Sequence, residues 1–266
     1  LITGFEDWRV AASVNQRQAW GRANAAGDVT YRASGEGFSL TSWQLSTSLR
    51  PLEQVQIGAQ IDGVTTRTST PEAGEMQIFV AWEVVRNPLP RDFRPKVLLS
   101  LGAGLPLGPA PEVAPQVSPE TRPATDGHLK LISGAHLFST WRQLDLQLSL
   151  SGVGRRPRQI LDPAAGPQEV TRPLSLILDT GAGWAVTSTL RLGLSFGWIR
   201  ELDQSAAQRW PARLQLSYIA DAEKSFSLVY SDETLIGPAV GSELSRSIGL
   251  LLTFRSSAEE ASPLEP

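Results

Sequence analysis

Residues 142–154 read RQLDLQLSLSGVG. Leu144, Leu146, Leu148 and Leu150 recur at every second position, and Gln143, Asp145, Gln147, Ser149 and Ser151 fill the places between them. A strand sends successive side chains to opposite faces, so this stretch builds one leucine wall and one wall of small polar groups. A soluble sandwich strand with buried leucines would read the same way. The recurrence of the pattern, and what separates its copies, decides between the readings.

The pattern recurs about twelve times. Upstream, Trp8, Val10, Ala12 and Val14 alternate, then Trp43, Leu45, Thr47 and Leu49, then Val55, Ile57, Ala59 and Ile61. Ile78, Val80, Trp82 and Val84 follow, then Val97, Leu99, Leu101 and Ala103, then Leu129, Leu131, Ala135 and Leu137. Downstream come a less regular stretch from about Arg172 to Ala185 and the row Leu190, Leu192, Leu194, Phe196 and Trp198. The last three copies carry Leu214, Leu216 and Tyr218; Phe226, Leu228 and Tyr230; and Ile248, Leu250, Leu252 and Phe254. Short turns are expected near Pro51 and Leu52, at Ser139 to Trp141, near Thr187 and at Asp221 to Glu223. Longer links are expected near 21–36, 106–126 and 155–171. Six prolines in 106–126 make that segment a loop, because proline cannot donate to a strand ladder.

Long links after odd copies, mostly short ones after even copies, an even count and strands of about ten residues together mark a transmembrane barrel. A sandwich has no reason to keep that alternation. The expected fold is all-β: a single antiparallel transmembrane β-barrel of about 12 strands over residues 1–255, with both termini periplasmic and a polar tail over 256–266. Trp8, Trp20, Trp184, Trp198, Trp210 and Tyr218 fall near expected strand ends, where aromatic rings suit a lipid interface. Trp43 and Trp82 fall nearer the middle of theirs.

Composition is consistent with this. The 266 residues are 41% hydrophobic and 19% charged, with a net charge of −3, so no basic field points to nucleic acid. The absence of cysteine excludes a thiol nucleophile, a disulfide framework and a Cys-ligated zinc. Two histidines leave little for a metal centre, and no cofactor is expected. No apolar run reaches the roughly 18 residues of a spanning helix, which does not bear on a barrel. A start at Leu1 is what removal of an export signal would leave, and equally what a fragment would show.

The segments SLRPLEQVQIGAQI, VTSTLRLGLSFGW and ADAEKSFSLVYSD each run from a short polar turn into an aliphatic strand. In this pattern the chain resembles Gram-negative outer-membrane barrels of the channel type, among them transporters associated with the aromatic-compound meta-pathway. The resemblance spans nearly the whole chain and rests on pattern rather than on a motif. It implies residence in the bacterial outer membrane. Barrels of that superfamily end in an aromatic residue read by the insertion machinery. Phe254 matches it, with residues 255–266 following.

By alternation, the face opposite the apolar row carries Arg9, Asn15, Gln44, Gln56, Gln60, Asp62, Glu83, Lys96, Lys130, His136, Gln143, Asp145, Gln147, Asp179, Arg191 and Arg213. A charge facing lipid costs roughly 2–4 kcal/mol at the midplane, so these residues are expected to line the lumen. The expected function is an outer-membrane channel for passive passage of a small solute, with a non-conducting barrel that anchors an envelope complex as the alternative. A third reading is a lipid-modifying barrel enzyme with a Ser/His site on its outer wall. His136 is expected to face inward within HLFSTWRQ, which lacks the His-x-Ser-Asn-Gly arrangement of such enzymes, so no catalytic residue is assigned. GAGLPLG at 102–108 lacks the helix and Lys-Ser/Thr of a phosphate loop. Expected partners are outer-membrane lipid and lipopolysaccharide, the latter near Arg155, Arg156 and Arg158. Loop 106–126 and tail 256–266 are candidate docking segments for a protein.

Overall fold

In the computed structural model, residues 7–24, 26, 28–31, 39–65, 72–85, 95–108, 127–162, 166–202, 208–233 and 243–256 are described. Each alternating stretch forms a strand. In chain order they are β1 (Trp8–Ala23), β2 (Val29–Tyr31), β3 (Ser39–Leu52), β4 (Val55–Thr65), β5 (Glu72–Val85), β6 (Lys96–Pro106), β7 (Lys130–Trp141) and β8 (Leu144–Arg155). Then come β9 (Arg158–Asp162), β10 (Gly166–Val170), β11 (Ser175–Ala185), β12 (Leu190–Glu201), β13 (Gln208–Arg209), β14 (Ala212–Ile219), β15 (Lys224–Asp232) and β16 (Glu243–Arg255).

Twelve of these close into one antiparallel barrel. The wall runs β1, β3, β4, β5, β6, β7, β8, β11, β12, β14, β15, β16, and β16 returns to β1 in a ladder from Arg9↔Arg255 to Arg22↔Glu243. Closure gives every wall strand two partners, which lipid demands because it offers no hydrogen bonds to an open edge. β2 pairs antiparallel with the end of β1, β13 with the end of β12, and β9 with β10 forms a separate hairpin.

The outward face is apolar. Leu250 is 67% exposed, Leu131 60% and Leu101 58%, and they belong to a band of similarly exposed Leu, Val and Ile around the wall. Water would penalise such a band, whereas a bilayer accepts it. At the short-turn end, Trp8, Trp82, Trp141, Trp184, Tyr218, Phe226 and Phe254 all project outward. At the opposite end Trp20 stacks on Tyr31 at 5.5 Å, and Trp198 packs against Trp210 at 6.1 Å. Aromatic residues thus gather at both ends, in a row at one and in two pairs at the other, as at the two interfaces of a membrane barrel. Trp82 joins this row because its register partner is Val55, the first residue of β4, rather than a mid-strand residue.

Both described ends of the chain meet at the short-turn end. Ser256 Oγ accepts from the Asp7 N–H at 2.7 Å, and the Ser256 N–H donates to the Trp8 carbonyl at 3.0 Å.

Some boundaries differ from the sequence reading. Residues 155–171 contain the β9–β10 hairpin, and β2 lies within 21–36. β11 begins at Ser175 rather than near Arg172. Pro51 and Leu52 stay in β3 across a bulge, so that turn falls at Glu53 and Gln54. Trp141 completes β7, and the next turn is the pair Arg142 and Gln143, with Arg142 at φ 55°. A positive φ at the first central residue matches the twist of a two-residue hairpin.

Candidate functional site: the lumen wall

Twelve strands about 4.8 Å apart and tilted about 40° enclose a backbone cylinder of radius roughly 12 Å. Side chains from opposite walls can fill much of that width, so what the inward row carries decides whether space remains. Residues in register share a face. Ser13, Gln44 and Asp62 form one cross-strand row. Ala11, Ser46, Gln60, Gln77, Gly104, Lys130 and Arg155 form another, winding from β1 to β8.

A cavity of about 390 Å³ opens along this wall. Arg9, Asn15, Gln44 and Gln60 line it together with Ser13, Ser46 and Ser48, and Arg213 of β14 borders it as well. Phe79, Val229 and Leu251 supply its apolar part.

Most remaining lumen charges are engaged. Lys96 Nζ lies 3.1 Å from Glu83 Oε2. Lys130 pairs with Glu75, whose other oxygen accepts from Gln77 Nε2 at 2.9 Å. Asp62 Oδ1 accepts from the Glu75 backbone N–H at 2.9 Å, which ties β4 to β5. Asp145 accepts from Thr140 at 2.8 Å and from Arg191 at 3.2 Å. Arg213 faces Asp179 at 3.9 Å, beyond a direct hydrogen bond. Glu233 is shared by Arg17 at 3.3 Å and Arg209 at 3.2 Å, and Ser245 donates to it at 2.8 Å.

Gln56 is almost fully buried opposite Ala81. Gln147 lies over Gly181, where a Cβ would come within 2.8 Å of its Nε2. His136 is held between two hydroxyls, with Nε2 2.9 Å from Ser100 Oγ and Nδ1 3.1 Å from Ser149 Oγ. Gly134 makes room for that ring, since a Cβ there would meet His136 Nε2 and Ser100 Oγ at 2.9 Å. Both imidazole nitrogens face serines, so the ring links β6, β7 and β8 through hydroxyls.

Gln143 departs from the sequence reading. It sits in the turn after β7, and its Oε1 accepts from Trp184 Nε1 at 3.4 Å in the aromatic row outside the barrel. The alternating pattern ran through the turn without marking it, because the hairpin has only two residues. Conversely, Glu75, Arg17, Arg209 and Glu233 were absent from the sequence list. Glu75 was legible: Glu75, Gln77 and Phe79 share the parity of Ala81 and Glu83. Arg209 and Glu233 lie beyond the alternating stretches and gave no such signal.

Among the described residues, no cluster of His, Asp and Glu is arranged to hold a metal ion. Arg155 Nη1 donates to the Pro173 carbonyl at 3.1 Å and to Ser175 Oγ at 2.7 Å. Most of loop 106–126 and of tail 256–266 lies outside the described residues.

No protein-family model matches the chain, and neither does any curated protein. Solved structures do. An outer-membrane channel of the COG4313 group from Pseudomonas putida F1 superposes with a TM-score of 0.69 at 11% identity, over 96% of this chain and 99% of that one. The NanC porin matches with a TM-score of 0.55 at 7% identity, over 91% of this chain and 100% of the other. The KdgM porin, in complex with disordered oligogalacturonate, matches with a TM-score of 0.55 at 6% identity, over 92% of this chain and 98% of the other.

The fold is that of outer-membrane channels and porins. The likeness runs over the whole barrel, whereas identities of 6 to 11% carry no side chain across. The apolar band and the aromatic residues at both ends of the wall agree with a membrane barrel on independent grounds.

Proposed function

We propose that this protein is an outer-membrane channel of a Gram-negative bacterium that passes a small polar solute passively. The end carrying the short turns and both termini faces the periplasm, and the end carrying the longer links faces outward. The observation that carries this reading is the cavity of about 390 Å³ inside the closed wall, lined by serines, amides and two arginines. Ligand sites for small molecules occupy this size range. Proteoliposome swelling tests it: vesicles holding the purified barrel swell in isotonic solutions of small solutes and stay unchanged with large sugars. Equal behaviour of protein-loaded and empty vesicles contradicts it.

A second reading draws on the engaged charges. Glu83–Lys96, Glu75–Lys130 and the Glu233 triad cross-link neighbouring wall strands, as they would in a barrel that serves as an anchor. Folded barrels that leave vesicles impermeable to every solute would favour it.

A further inference from the structure

We infer that the solute route is off-centre: it descends along β8, β11, β12 and β14, the wall from β5 to β7 is packed shut, and Gly183 and Gly193 set the width. This rests on the channel reading above. The lumen ion pairs divide by sector. On β5 to β7, Glu83 and Lys96 are 5% and 12% exposed, and Glu75 and Lys130 are 7% and 16% exposed. On β8 to β14, Asp145 and Arg191 are 42% and 50% exposed, and Asp179 and Arg213 are 32% and 49% exposed. All four pairs stand on the inward face, so the contrast marks where water reaches inside the bore. A charge pair keeps its hydration only beside open space, and the first two have lost theirs.

The residues around these pairs divide the same way. Ala81 is fully buried, and so is Leu98, which lies in register between Glu83 and His136. Gln147 and Arg191, on the other sector, are exposed. The glycines give a local measure of room. A Cβ at Gly104 would come within 2.6 Å of Glu75 Oε1, and one at Gly134 within 2.9 Å of His136 Nε2, so side chains already fill the space above them. Gly183 of β11 and Gly193 of β12 are register partners, and a Cβ there would meet nothing nearer than 3.7 Å and 3.5 Å. From the longer-link end, the route passes Asp179 with Arg213, then Gln147 and Ser195 on either side of Gly181. It then crosses the bare Gly183–Gly193 step and leaves beside Asp145 and Arg191 at the short-turn end. Arg213 also borders the cavity of about 390 Å³, so that cavity opens onto this route.

The chain has no cysteine, so a single introduced thiol is the one reactive sulfhydryl in the protein. The test compares Gly183→Cys and Gly193→Cys with Ala81→Cys on the packed wall. Ser100→Cys, a nearly isosteric change beside His136, stands in if the Ala81 variant does not fold. Each purified barrel is recorded in a planar bilayer while a bulky, water-soluble methanethiosulfonate reagent is added. Expected is a stepwise loss of unit conductance for both glycine variants as the thiol is modified. The packed-wall variants and the cysteine-free wild type keep their conductance. Equal loss from both walls, loss from the packed wall alone, or glycine-wall thiols whose reaction leaves the current unchanged or does not occur overturns the off-centre route while the channel stands. A folded wild-type barrel with no conductance overturns the channel and the route together.

Discussion

Lys96 Nζ sits 3.1 Å from Glu83 Oε2, with the two side chains only 12% and 5% exposed. The pair joins β5 to β6 near the short-turn end, beside the fully buried Leu98. At this depth the two charges lean on each other, because removing one takes a close counter-charge from the other where water is scarce. Glu83→Ala is therefore expected to cost about 3 kcal/mol. A fall in the denaturant midpoint in detergent micelles, with unchanged slope, is the measurement that checks it. An unchanged midpoint would mean that the pair is only incidental.

The two faces of the wall give a sharper contrast. Leu101 stands at the centre of β6, 58% exposed, with Val80 and Ser133 beside it in register. Leu101→Arg puts a charge in the middle of the apolar band and is expected to cost about 2–4 kcal/mol in a bilayer. Ser46→Ala, on the cavity face, is expected to stay within about 0.5 kcal/mol. Folding titrations in lipid vesicles compare them directly, and equal costs would mean that the faces have been assigned the wrong way round.

Phe79 is the apolar residue that breaks the polar-in rule of β5. Its ring lies across Gly58 of β4, where a Cβ would come within 2.2 Å of Cζ. An aromatic ring over a strand glycine packs where the glycine offers nothing. Gly58→Ala must push the ring off that seat and into the bore, so unit conductance falls. Phe79→Ala clears part of the cavity lining, so it rises. Single-channel amplitudes decide, and a change in the same direction for both variants would exclude this geometry.

Legibility from sequence followed how regularly the wall alternates. Leu144 to Leu150 and Leu190 to Phe196 keep strict period two, so their strands and outward faces are legible in the residues alone. The β9–β10 hairpin was not, because RQILD and GPQEV hold no alternating row and Pro167 argues against a strand. Gln143 was misplaced because a two-residue turn costs the pattern no break. The Glu233 triad needs long-range geometry: Arg17, Arg209 and Glu233 come together only once β1, β13 and the end of β15 are adjacent. Arg9 and Arg213 were both named as inward residues, but that they border one cavity is a product of barrel closure, which no local pattern encodes.

Asp221 lies in the turn before β15, outside the wall. The Glu223 backbone N–H donates to its carboxylate at 2.8 Å and the Lys224 backbone N–H at 2.7 Å. These bonds, the first above all, hold its pKa below the ordinary 3.8, helped by the Lys224 ammonium at 3.4 Å. A carboxyl with a depressed folded pKa contributes stability that is fully present above its unfolded pKa and is lost as the pH falls through the folded one. Asp221→Ala is thus expected to lower the unfolding midpoint at neutral pH. The gap from wild type should narrow only below about pH 3.8 and close in stronger acid. Midpoints measured across that acid range check it, and a gap independent of pH would show that the charge plays no part.

Passive passage requires a continuous aqueous path through the closed wall. Single-channel recording of the purified, folded barrel in a planar bilayer tests it most directly. Discrete steps of uniform amplitude are expected, enlarged by Phe79→Ala and reduced by Gly58→Ala. A bilayer that stays silent with correctly folded protein inserted would contradict it.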